Sequence, residues 1–150
     1  MDLPAAIADI VARGARLVRP LAAPQRGIAS GSVDELCRRA LADPIGAPAL
    51  ASLVGNVSRV TVVVSDATRD EPRAAMFAAV REGLAHLPDA AFTIVVASGT
   101  HAPRPPDTAL DPAILRRFPV IVHDGSDLST CLDLGTTPEG TRVRLNRAVV

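Results

Sequence analysis

The chain has 150 residues with a formal net charge of zero, 16 Arg balanced by 16 Asp plus Glu, no Lys, Trp or Tyr, and 48% apolar residues. That balance offers neither the basic stripe nor the stacking aromatics of a nucleic-acid binder, and its apolar content excludes disorder. A single domain of this length buries roughly 68–70% of its unfolded surface.

Residues 1–31 are rich in Ala, Pro and Gly, with only Ile7, Ile10, Val11 and Leu17 giving a short helical rhythm, and are read as an N-terminal arm. Ser32-Val33-Asp34-Glu35 is a capping box opening a helix through Val33, Leu36, Cys37 and Leu41 that stops before Pro44. Pro48 to Val54 adds a turn or two, ended by Gly55-Asn56 in a left-handed conformation. Arg59–Val64 is a β-branched run expected as a buried strand. Pro72–Leu87 follows as a helix with Met76, Val80, Leu84 and Leu87 on its apolar face.

Phe92–Ala97 is the second strand, Pro112–Phe118 a short helix and Val120–Val122 the third strand. This alternation predicts a three-layer, Rossmann-like α/β fold around a mostly parallel sheet with right-handed crossovers. Thr130–Leu134 and Thr141–Leu145 read as a C-terminal hairpin added to that sheet, with Gly135–Gly140 as its turn. Three Phe are the only aromatics, so thin layers of Ala, Val, Leu and Ile are expected in place of an aromatic cluster. No apolar run approaches the roughly 18–20 residues of a membrane span. Cys37 and Cys131 have no metal-ligand spacing and read as ordinary buried thiols of a cytoplasmic protein.

Ligands of an open parallel sheet bind at the carboxyl ends of its strands. Ser65–Pro72 follows the first strand and Ser98–Pro106 the second, so Asp66, Thr68, Arg69 and His101 are expected around one cleft, with His123–Asp127 on the same edge. Asp66 and Arg69 also bracket the expected helix start, where free backbone N–H groups favour an anion, and Thr68 and Arg69 supply a hydroxyl and a guanidinium. The competing structural reading has Asp66 or Thr68 capping the helix and Arg69 paired with an acid. His101, in a polar loop before Pro103, Pro105 and Pro106, is placed to act as a general base; a surface loop histidine is the alternative. His123 reads as a turn cap and His86 as a partner of the helix dipole. Gly135–Thr141 lacks the Gly-Lys-Ser/Thr of a phosphate loop, and no G-x-G-x-x-G occurs.

Four motifs in order, Val62–Arg69, Ala97–His101, His123-Asp124 and Leu134–Arg147, resemble the N-terminal domain of the lactate racemase family from about residue 40 onward. The resemblance implies an isomerase using a nickel-pincer nucleotide, a pyridinium mononucleotide whose nickel-bound carbon takes a hydride from a 2-hydroxy acid while a histidine removes the hydroxyl proton. It implies cofactor contacts from Asp66, Ala67, Thr68 and Arg69, a substrate role for Arg69, and His101 as the first acid/base. In that family Pro commonly follows the Arg directly, whereas this chain has Asp70-Glu71-Pro72. The family's second histidine, its cofactor-tethering lysine and a nickel-ligating histidine lie downstream of the hairpin, and this chain has no Lys. Residues 32–150 are therefore expected to form a partial racemase-like domain, a fragment whose partners are a small 2-hydroxy acid and a missing C-terminal half, without nucleic acid or membrane. The other function class is a non-catalytic nucleotide- or anion-binding module.

Overall fold

In the computed structural model, residues 30–150 are described, so the expected arm over residues 1–31 falls almost wholly outside the described residues. Helix α1 (Val33–Ala42) begins at the capping box, where Ser32 Oγ accepts from the Glu35 amide at 3.2 Å and Glu35 Oε2 accepts from the Ser32 amide at 3.1 Å. Helix α2 (Leu50–Leu53) ends at Val54, and Gly55 does not enter the left-handed region. The expected glycine stop is absent because a single turn of helix gives way directly to the extended Val54.

Strands β1 (Val60–Ser65), β2 (Phe92–Ala97) and β3 (Val120–His123) form a parallel sheet in that order, joined through helices α3 (Arg73–Gly83) and α4 (Pro112–Arg117). The fold is thus mixed α/β, as the strand–helix alternation predicts. The register aligns Val62 with Ile94 and Ile94 with Val120, so the even-numbered side chains of all three strands share one face. That face packs against Phe77, Leu84, Ile114 and Leu115 to make the core. On the opposite face Val95 is buried, whereas its neighbours Val63 and Ile121 are exposed.

Two expectations about packing need correction. Met76 is 48% exposed, and Phe77 and Ala79 turn inward with Leu84 and Leu87. Val80, Leu84 and Leu87 keep their expected place on the core, and Phe77 takes that of Met76 because it has the larger apolar surface to bury and meets Phe118 edge-on, with centroids 4.9 Å apart. Phe92 joins them at 6.2 Å, so all three Phe concentrate in one cluster instead of leaving the core to aliphatic layers.

Strands β4 (Cys131–Thr136) and β5 (Arg142–Asn146) pair antiparallel as a separate two-stranded sheet, and do not extend the parallel one. A register irregularity between Asp133 and Gly135, with Gly135 at φ 100°, twists the ladder. The hairpin unit reaches the parallel sheet through side chains instead: Asn146 meets His123, and Thr61 Oγ1 donates to the Ala148 carbonyl at 2.7 Å. Gly140, at φ 87°, closes the intervening turn with its amide on the Thr137 carbonyl. Cys37 and Cys131 are free thiols, only half-buried. Among the described residues no helix is long and apolar enough to cross a membrane.

Candidate functional site

The carboxyl ends of β1, β2 and β3 lead into the loops that carry the candidate residues. Asp66 directly follows β1 and is buried, although it is charged. Its Oδ1 accepts from the Thr68 amide at 3.1 Å and from the Thr68 hydroxyl at 2.5 Å, forming a local Asx turn. Its Oδ2 lies 2.7 Å from His101 Nδ1. The Thr68 hydroxyl, and then His101, hold the Asp66 carboxyl down at about 2 against the opposing effect of burial. An ionised carboxylate only accepts, so Nδ1 of His101 donates; in the neutral ring Nε2 then carries the lone pair. Half of the His101 side chain is exposed.

The loop after β2 is shaped by two close glycines. Gly99 has φ +60°, and the His101 amide returns to the Ser98 carbonyl at 3.0 Å. Gly125, in the loop after β3, sits where a Cβ would come within 2.5 Å of the Gly99 carbonyl oxygen. The two loops are thus in backbone contact, which only a residue without a side chain permits. The Asp124 carboxyl, lowered chiefly by the Ser126 hydroxyl, closes an equivalent turn with Ser126 at 2.6 Å.

Asp66, Thr68 and His101 are therefore brought together as expected. Ala67 is half-buried within the same turn, and Arg69 is exposed, its amide closing on the Asp66 carbonyl at 3.3 Å. Asp66 and Arg69 do not bracket the helix start, although the helix begins within one residue of the expected Pro72. Helix α3 begins only at Arg73, after Pro72, with no side-chain cap, because Asp66 is already committed to Thr68 and His101. Neither the helix-dipole anion site nor the capping alternative for Asp66 applies. His123 is not a turn cap: its Nδ1 lies 3.1 Å from Nδ2 of the buried Asn146. Asn146 Oδ1 accepts from the Ala148 amide at 3.0 Å, which fixes its NH2 toward His123. His86 reaches the Gly55 carbonyl at 3.3 Å instead of the end of its own helix.

The sequence pattern assigns no individual role to Ser65, Arg73, Gly125 or Asn146. Arg73 had a legible signal, since a cation opening a helix opposes the dipole and calls for another partner. The other three take their roles from contacts between distant loops or strand ends. Among the described residues no three His, Cys, Asp or Glu side chains cluster as a metal site.

A family model for the lactate racemase N-terminal domain matches residues 15–150. Among curated proteins nothing matches significantly. The chain is similar in fold to the lactate racemase apoprotein from Thermoanaerobacterium thermosaccharolyticum, with a TM-score of 0.60 and 22% sequence identity over 78% of this chain. The match spans 29% of that protein's length.

Proposed function

Because the chain belongs to the lactate racemase N-terminal domain family, we propose that it forms part of a nickel-pincer nucleotide-dependent racemase or epimerase of 2-hydroxy acids, with His101 as a base. The observation that carries this reading is the 2.7 Å Asp66–His101 pair at the carboxyl edge of the sheet. Asp66 fixes the ring so that Nε2 can accept a hydroxyl proton, and its negative charge stabilises the imidazolium that results. Returning the same proton completes the exchange at the hydroxyl oxygen. The exposed guanidinium of Arg69 suits a carboxylate or phosphate through paired N–H donors.

The donors available fit one part of the cofactor. The exposed guanidinium of Arg69 suits the phosphate of a mononucleotide, whereas the Thr68 hydroxyl, whose proton goes to Asp66, would only accept from a ribose hydroxyl, with Asp66 and Ala67 shaping the turn. The covalent attachment is not supplied by these residues, since the sequence has no Lys, and the described residues hold no clustered metal ligands. When bound, the nickel-bearing pyridinium supplies the hydride-accepting carbon.

The test is nickel-dependent racemisation of a single lactate enantiomer, or of another 2-hydroxy acid, by the cofactor-loaded protein, followed by chiral chromatography. His101→Ala is expected to lose roughly 10²–10⁴-fold in turnover. Turnover equal to the unaltered protein overturns the assignment. The exposed guanidinium of Arg69 also suits one other reading, a nucleotide- or anion-binding module without catalysis; mononucleotide binding with no racemisation supports it.

A further inference from the structure

The loop that carries Asp66, Thr68 and Arg69 receives no helix cap, yet it is tightly organised, and one side chain accounts for this. Arg73 is only 11% exposed and turns back from the first position of α3 onto the loop. Its Nε donates to the Ser65 carbonyl at 3.0 Å, and its Nη2 donates to the Asp66 carbonyl and to the Arg69 carbonyl, the latter at 2.5 Å. Both nitrogens also reach Ser65 Oγ, at 3.2 and 3.1 Å. Glu71 completes the arrangement, with Oε1 3.3 Å from Arg73 Nε and accepting from the Ser65 hydroxyl.

We propose that Arg73 is the positioning residue of this site: its guanidinium gathers the carbonyls of Ser65, Asp66 and Arg69, fixing the turn that presents Asp66 to His101 and leaves Arg69 turned to solvent. The inference rests on the functional reading above for the purpose of the loop, but its test does not depend on a bound nucleotide. A guanidinium spans several acceptors in one plane, which a single ammonium point charge does not. The two arginines of the loop consequently divide the work. Arg73 is committed to the backbone and to Glu71, and Arg69 is the exposed cation available to an anionic ligand. The arrangement also answers the acid that stands beside the site: the Glu71 charge is met by Arg73 and does not face an incoming anion uncompensated.

Arg73→Lys keeps the charge and loses the fork, so it separates geometry from electrostatics. Arg73 makes no contact with the Asp66 carboxylate, so any effect on that group arrives through the turn. In Arg73→Lys the Asp66 titration, read by carboxyl ¹³C NMR, is expected to climb from about 2 toward 3.8, by about one pH unit or more, while the fold is retained. An unchanged midpoint with unchanged amide exchange at Thr68 overturns the proposal. Glu71→Gln is the second variant, since its amide oxygen still accepts from Ser65 while the carbonyl contacts of Arg73 remain. Its expected Asp66 midpoint stays near 2, and a rise of a full unit there contradicts the assignment to the carbonyls. Failure to bind a mononucleotide would count against the functional reading and leave these titrations as they are.

Discussion

Gly125→Ala tests the contact that places His101. The added Cβ would stand 2.5 Å from the Gly99 carbonyl oxygen, so the two loops must separate by about 0.9 Å to regain the 3.4 Å of ordinary contact. Gly125 does not have a positive φ, so the substitution adds overlap without backbone strain. Gly99 and His101 lie in one turn closed by the Ser98 carbonyl, and a shift of Gly99 therefore moves His101. If the whole displacement passes to the Asp66–His101 pair, its 2.7 Å separation grows to about 3.6 Å, beyond hydrogen bonding. Overpacking of this kind costs about 1–3 kcal/mol. At the middle of that range, with a urea dependence of about 2 kcal/mol/M, the unfolding midpoint falls by about 1 M. The assay is urea unfolding together with the proton resonance of the His101 Nδ1–H. A variant with the midpoint and that resonance both unchanged refutes the loop contact as the element that places the histidine.

Gly99→Ala makes the complementary case: its Cβ meets nothing within 4 Å, but φ +60° imposes strain of roughly 1–2 kcal/mol, so urea unfolding shifts while the His101 resonance persists. For Asp66, the folded carboxyl titrates at about 2 and the unfolded one near 3.8, so on acidification the unfolded chain takes up the proton first. Its contribution is complete above 3.8 and is lost as pH falls through 2; unfolding curves across this window should be flatter for Asp66→Asn than for the unaltered chain, and parallel profiles would count against the Asp66 contacts.

The parallel sheet was legible because its signals are local. Val60–Val64 and Phe92–Ala97 are β-branched, apolar runs, and their register places the even-numbered residues on the core face. The capping box at Ser32 was legible for the same reason, as both of its hydrogen bonds lie within four residues. Asp66 and His101 followed from sheet topology, which brings the ends of adjacent strands together whatever their separation in sequence. What the sequence concealed was decided by competition between partners. Asp66 has the residue type of a helix cap, but Thr68 and His101 occupy its oxygens, and α3 starts at Arg73, next to the Pro72 that the pattern marks and well past Asp66. Met76 and Phe77 are neighbours in the same helix, and the tertiary contacts of Phe77, the edge-on one with Phe118 among them, go with its turning inward. Gly125 and Asn146 act across loops and strands that no periodicity links.

The loop from Asp66 to Arg69 is proposed to hold a pyridine mononucleotide at the carboxyl edge of the sheet. Calorimetric titration of the 150-residue chain with nicotinamide mononucleotide measures this directly, beside Arg69→Ala as the variant that removes the exposed guanidinium. Saturable binding that weakens at least tenfold in Arg69→Ala is the predicted result, equivalent to about 1.4 kcal/mol. Equal affinity in the two proteins, or no binding by either, would contradict it.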